Sequence, residues 1–387
     1  MPEPLKTLHV TTVDVTAHCF LRSWMETLIR SGAEVSLATT VQNFRDSLEA
    51  TGAEVLDLPI SRRVEPLSDL ASLLDMVYLI RRLRPDIVHT HTAKAGFIGR
   101  LAAWLNGVPL VIHTIHEMPN NSTDKPMLKL MYWALEWLAA RWCHHLVTVS
   151  HANERQILRE AICRRDKLTV VRGGISLANY RPRRTRDEVR RQLGIPLEAP
   201  LVGTVGRLEP AKGYPVLFDA FERVLESRPD CHLVFAGVGH LKDDLLVEAA
   251  RPGLRGQVHY AGYFDAVPDL MNCLDVFVLA SLQEGLGVVL LEAMALSRPV
   301  VSTRVGGTAD VVVDRQTGRL VPPRDAGALA EAMLFCLEHP EEAERMGAAG
   351  RKRVETDFED AETNRRLFNL YRNLWERFRP RAAAAGE

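Results

Sequence analysis

Cysteine is sparse in this chain of 387 residues. Its six cysteines (Cys19, Cys143, Cys163, Cys231, Cys273 and Cys336) never stand as C-x-x-C. That spacing argues against a disulfide framework or a cysteine-ligated zinc site, and fits a reducing cytoplasm. No run reaches the roughly 18 apolar residues of a membrane-spanning helix. The opening MPEPLKTLHV has no apolar core that would read as a secretion signal. The formal net charge is −1, which gives no global argument for a nucleic-acid or membrane partner. The chain is therefore expected to be soluble and cytoplasmic, with peripheral contact at a membrane's inner face left open. Also missing are G-x-G-x-x-G, a Walker P-loop and H-E-x-x-H. No two aspartates stand two apart, so a D-x-D site for a metal-bound diphosphate is absent.

What is present is ordinary globular composition, 47% hydrophobic and 25% charged, in a length that suggests two domains. Short apolar runs alternate with helical patterns from Leu8 to Val171, and the alternation repeats from Leu201. This predicts an α/β fold of two doubly wound parallel-sheet, Rossmann-like domains facing a central cleft. The expected divisions are 1–180, a linker and entry at 181–200 marked by the basic run Arg181 to Arg186, a second domain at 201–360, and a final helix and frayed tail at 361–387. His18 to Arg30 is expected as one helix.

One segment, 281–299, organises the second half. The strand-like run Val276 to Ala280 leads into Glu284, Gly285, Leu286 and Gly287, and a helix is expected from Val288 to Leu296. A glycine-rich helix start attracts anions, because its free N–H groups and dipole are positive. Glu284 and Glu292 beside it suit hydroxyls, so the ligand is expected to carry both phosphate and sugar. Gly206, Arg207 and Lys212 follow the strand at Leu201 to Val205 and offer two cations for phosphate. A surface turn with solvated cations is the plainer alternative. Gly237 ends another strand in what is either a ligand loop or a tight turn. Backbone after Gly262, at Tyr263, is either a nucleobase contact or a simple loop.

In the first half, HTHTAKAG (from His89) and HTIHE (from His113) each run past a strand end. Residues two apart on a strand share a face, so His89 and His91 would be crowded together; hydrogen bonding or proton handling is favoured over a metal. His89 and His113 are read as structural unless the fold says otherwise. His116 is the functional choice, and Lys94 a candidate anion contact. The aromatics from Met131 to Trp142 are expected as helix core, with membrane anchoring as the alternative. Arg62, Arg63, Arg81, Arg82 and Arg84 are expected to be solvated, or to meet anionic headgroups.

Together the segments VGRLEPAKG, AGVGH and VHYAGYF, the Glu284/Glu292 spacing and HTHTAKAGFIGRLAA resemble the retaining glycosyltransferases of family four, which have the GT-B fold. The histidine motifs are similar to those of the bacterial capsule, exopolysaccharide and O-antigen subgroup. The resemblance implies a nucleotide-diphosphate sugar as co-substrate, UDP-sugar favoured, no essential metal or other cofactor, and a saccharide or polyprenyl-diphosphate-linked acceptor. It implies that Arg207 and Lys212 bind the donor diphosphate, that Gly287 and Val288 cap it, and that Glu292 holds the ribose. Glu284 would contact the transferred sugar and His116 would lie near the reaction centre. Closure of the two domains would assemble that centre. Two departures stand out. The first loop, Thr11 to His18, lacks the family's glycine pair. Glu117 replaces the usual glycine after the histidine and is placed, with Lys94, on the acceptor side. A sugar-nucleotide epimerase of the same fold, or a transferase with a small soluble acceptor, are the alternatives.

Overall fold

Apolar runs of a few residues with no polar alternation belong in strands covered on both faces. The computed structural model describes residues 4–61, 65–254, 256–264 and 266–379. Arg62, Arg63 and the tail 381–387 lie outside the described residues. The chain divides into two units, Met1–Gly173 with Glu362–Glu387, and Gly174–Ala361.

The first unit begins β1 (Lys6–Val13), α1 (Asp14–Phe20), α2 (Arg22–Arg30), β2 (Glu34–Thr40), α3 (Arg45–Glu49) and β3 (Glu54–Asp57). It continues through α4 (Pro66–Leu83), β4 (Ile87–His91), α5 (Ala93–Leu105), β5 (Leu110–Ile115), α6 (Pro126–Ala139), β6 (His145–Thr148), α7 (His151–Arg159) and β7 (Leu168–Val170). The strands form one parallel sheet in the order β3-β2-β1-β4-β5-β6-β7. Met76, Ile80, Ile98 and Ala102 cover one face. Trp24, Met25, Leu28, Tyr371 and Leu374 cover the other.

The second unit carries α8 (Arg186–Gln192), β8 (Leu201–Val205), α9 (Tyr214–Ser227), β9 (His232–Ala236), α10 (Lys242–Ala249), β10 (Val258–Tyr260), α11 (Val267–Asn272) and β11 (Val276–Leu279). Then come α12 (Val288–Ala295), β12 (Val300–Thr303), α13 (Thr308–Val311), β13 (Arg319–Val321), α14 (Ala326–Glu338) and α15 (Pro340–Asp357). Its parallel sheet has the order β10-β9-β8-β11-β12-β13. Phe218, Phe221 and Phe235 fill its core. The last helix, α16 (Asp360–Phe378), buries Tyr371 and Leu374 in the first unit.

One local expectation differs. His18 to Arg30 is two helices, broken at Leu21. Residues 181–200, the expected linker and entry to the second domain, carry the short helix α8. Thr185 and Glu188 form a capping box that starts α8. Arg181 and Arg183 of the basic run are exposed, while the arginines that follow meet acids of the same unit. Arg184 Nε lies 2.9 Å from Asp269, Arg186 Nη1 2.8 Å from Asp275, and the fully buried Arg190 3.0 Å from Asp275. These three arginines have partners 85 to 89 residues away in sequence.

Candidate active site

Parallel strands release their loops at one edge, and ligands bind where the strand order reverses. In the second unit that reversal lies between β8 and β11. The loops on this edge are stitched together. Gly206 N donates to Ala236 O (3.0 Å), Gly237 N to Gly262 O (2.8 Å) and Leu282 N to Ala211 O (2.7 Å). Two crossings demand glycine. Gly237 has φ +145°, and a Cβ there would lie 1.8 Å from Gly206 O. Gly306 has φ +47°, and its Cβ would lie 1.7 Å from Glu284 O. No side chain fits either distance without moving backbone.

The loops after β8 and β11 meet through Lys212 and Glu284. The ammonium nitrogen stands 2.5 Å from Glu284 Oε1, which also accepts from Ser281 Oγ at 2.7 Å. A carboxylate beside an anion-attracting helix start is thereby neutralised and fixed in place. Behind it, Gly287 caps α12 with φ +85°, Leu286 is buried, and Gly285 and Val288 are partly covered. The first turn of α12 directs its free amides out of the same edge. Arg207 reaches Glu209 at 2.7 Å, but its side chain is 65% exposed, so a stronger anion can redirect it. Tyr263, past the end of β10, is 70% exposed.

Glu292 lies in α12 and accepts a hydrogen bond from Tyr180 OH at 2.9 Å. Burial pushes its carboxyl up to about 7, with the Tyr180 hydroxyl pulling the other way. Near neutrality this group sits between its two protonation states, which suits a partner rich in hydroxyls.

In the first unit, the reversal lies between β1 and β4, where His9 stands opposite His89 in register. His9, His89 and His91 bring ring nitrogens within 4.8 Å of one another, all buried. His89 commits both nitrogens, Nδ1 to Tyr371 OH (2.5 Å) and Nε2 to Thr114 Oγ1 (2.7 Å). His9 Nδ1 and His91 Nε2 are 3.3 Å apart. The arrangement is thus a hydrogen-bonded imidazole cluster, which the pairing of His89 with His91 alone did not reveal.

His116 follows β5, with its ring 5.7 Å from that of His91 and its Nε2 shielded from solvent. Burial pulls His116 and His9 down to about 4, so both rings are neutral at physiological pH. His116 can accept or donate a hydrogen bond, but it is not a cation there. It lines a cavity of about 180 Å³ with Thr92, His113, Glu117 and Glu136. Beneath it the buried Arg100 grips Glu136 in bidentate fashion, at 2.7 and 3.0 Å. His113 Nδ1 bonds Thr90 Oγ1 at 2.8 Å. Lys94, expected as an anion contact, pairs with Asp69 of α4, and both side chains are largely covered.

Sequence reasoning missed His9, Tyr180 and the Arg100–Glu136 pair. For the pair a signal existed, a base and a lone acid within two largely apolar helices. For His9 the signal was period-2 alternation on a neighbouring strand. For Tyr180 there was none.

Two parallel α/β units with ligand-competent loops at the switch points are the GT-B fold class. The profile described as "Glycosyltransferase Family 4" matches residues 20–179, and that of "Glycosyl transferases group 1" matches 185–353. The chain is 29% identical over 279 residues to the Escherichia coli UDP-Gal:alpha-D-GlcNAc-diphosphoundecaprenol alpha-1,3-galactosyltransferase, covering 71% of this chain and 72% of that protein. It is 26% identical over 362 residues to the Staphylococcus aureus capsular polysaccharide biosynthesis glycosyltransferase CapM, covering 91% and 93%. Among solved structures, Anabaena Alr3699/HepE in complex with UDP and glucose superposes with a TM-score of 0.83 at 20% identity, over 95% of this chain and 100% of that one, a likeness of fold. The chain belongs to glycosyltransferase family four, and it is a glycosyltransferase that uses a nucleotide sugar.

Proposed function

We propose that this enzyme moves a hexose from a UDP-sugar, with retention of anomeric configuration, onto a polyprenyl-diphosphate-linked saccharide in surface polysaccharide synthesis. The observation that carries the reading is the Lys212–Glu284 pair at the β8/β11 switch point, beside the start of α12. Relatives supply the finer part. One is named for UDP-Gal and a diphosphoundecaprenol-linked acceptor, the other for capsular polysaccharide.

In this reading the departing diphosphate is met by Arg207, Lys212 and the amides at Gly287 and Val288, which stabilise charge as it develops. Gly206 and Gly237 let the backbone approach the nucleotide. Tyr263 flanks the base, and Glu292 accepts from the ribose hydroxyls. Glu284, with Gly285 and Leu286 behind it, orients the transferred sugar. The sugar leaves and is attacked on one face, so no enzyme nucleophile is required. His116, neutral, hydrogen-bonds near the reaction centre, and Glu117 contributes on the acceptor side. No helix among the described residues is long and apolar enough to cross a membrane. The reading places the enzyme in the cytoplasm, at the inner face of the membrane that holds its acceptor.

The test is product analysis with UDP-glucose, UDP-galactose and UDP-N-acetylglucosamine, each with and without a short-chain polyprenyl-diphosphate saccharide. Acceptor-dependent extension with an unchanged anomeric configuration is expected. Conversion of one UDP-sugar to another without acceptor would make it an epimerase. Transfer only to free sugars would move the acceptor class to small soluble molecules.

A further inference from the structure

A helix that is apolar on all sides belongs in a core or in lipid, because one side must otherwise face water. Helix α6, PMLKLMYWALEWLA, is such a helix, with only Lys129 and Glu136 charged. Its inner side is fixed on α5 by the buried Glu136–Arg100 pair. Its outer side is open. Met127 and Leu130 are 84% and 63% exposed, and Met131, Leu135 and Leu138 follow at helical spacing, all exposed. On the other flank of α5, helix α4 presents Leu67, Leu74 and Tyr78, the first and last 86% and 69% exposed. Apolar surface on this scale, carried by the two helices that flank α5, marks an interaction site rather than scattered surface residues.

The charges at its margins select the occupant. Arg81, Arg82 and Arg84 end α4, and Lys125, Lys129 and Arg141 flank or lie on α6, all exposed. The exposed acids on the same elements are Glu65, Asp75 and Asp124. The Arg141 guanidinium carbon stands over the Trp137 ring, 3.1 Å from its centre, an amphipathic arrangement. In a two-fold contact between copies, each cation would face the same set on its partner. An anionic lipid surface meets both the apolar centre and the cationic margin.

We infer that the outer faces of α4 and α6 form a docking surface for an anionic bilayer. The inference deepens the lipid-linked acceptor reading and rests on it for its purpose, though the surface can be tested alone. Flotation with vesicles of phosphatidylcholine mixed with phosphatidylglycerol, free of any acceptor, measures docking. Wild-type protein is expected to float with the mixed vesicles and about tenfold more weakly with phosphatidylcholine alone or in high salt. The variant Met127→Ser/Leu130→Ser/Leu135→Ser is expected to lose on the order of tenfold or more of that binding. It keeps its melting temperature and its turnover on a short-chain, water-soluble acceptor. Leu67→Ser/Tyr78→Ser, on the other helix, is an independent second variant. Failure of the wild type to float, or flotation by both variants as strong as that of the wild type, overturns the surface. So does a dimer in sedimentation that the α6 variant dissociates without any vesicle binding. Flotation without transfer to any polyprenyl acceptor leaves the surface standing and refutes the acceptor reading instead.

Discussion

Glu292→Gln is expected to stabilise the free enzyme while removing donor binding. Burial holds this carboxyl up to about 7 from an ordinary 4.5. An unfolded chain releases that proton first, so between these pH values the folded state binds more protons. Stability therefore falls as pH rises from about 4.5, and the loss is complete above about 7. At about 1.4 kcal/mol per pH unit the full shift is worth roughly 3 kcal/mol; screening at a partly exposed residue reduces this to about 1–3 kcal/mol. Glutamine is uncharged, and its carbonyl still accepts from Tyr180. The variant should match wild type near pH 5 and melt higher near pH 8, by roughly 2–4 °C per kcal/mol. The thermal shift given by UDP near pH 8 should fall sharply, because an amide oxygen is a weaker acceptor for ribose hydroxyls than a carboxylate. Differential scanning fluorimetry across pH, with and without nucleotide, measures both. A variant less stable near pH 8, or a gain equal at both pH values, would refute the burial argument. An undiminished nucleotide shift would refute the ribose role.

Lys212→Ala should lower kcat/KM about 10²- to 10³-fold, since it removes a cation from the diphosphate and leaves Glu284 unpaired; steady-state kinetics with Lys212→Arg as the partial rescue checks this. Gly237→Ala puts a Cβ 1.8 Å from Gly206 O and should cost about 1–3 kcal/mol together with most nucleotide affinity, read by denaturant melts and calorimetry. Arg100→Met should destabilise by about 3–5 kcal/mol because Glu136 is left charged and buried, and Arg100→Met/Glu136→Leu should recover most of it. The neutral His9 and His116 bind protons only below about 4, whereas unfolded histidine does so below about 6.5; stability contributed by their burial is full above pH 6.5 and is lost as pH falls toward 4. An acid titration of wild type against His9→Gln should show a shallower loss in the variant.

The architecture was largely legible because apolar periodicity is local. Runs such as Val276 to Ala280 are strands wherever they land, and Pro66 and Pro85 bracket α4 as proline must. The candidate site was legible only in part. Glycines and cations after strands mark loops at one sheet edge, so Gly206, Lys212 and Gly287 could be named together. What each side chain touches was not legible. Lys94 faces Asp69, and the arginines at 184–190 face Asp269 and Asp275, because partners far apart in sequence leave no local trace. In α6 the aromatics Trp133 and Trp137 pack on the core as expected, while Met127, Leu130 and Leu135 of the same helix stay exposed. A helix with this composition is expected to be core, and its burial is decided by what packs on it.

For residues 281–299 the division is clear. The sequence determined a strand, two glycines and a helix start, and hence an anion-attracting turn with two nearby acids. Those follow from backbone sterics and the helix dipole, which need no neighbours. Only the tertiary structure decided that Glu284 is bonded to Lys212, that Gly306 must pass beneath its carbonyl, and that Tyr180 and burial hold Glu292 near neutrality. Charge state and orientation are set by desolvation and by partners brought close through strand order, and neither is written in any short stretch of chain.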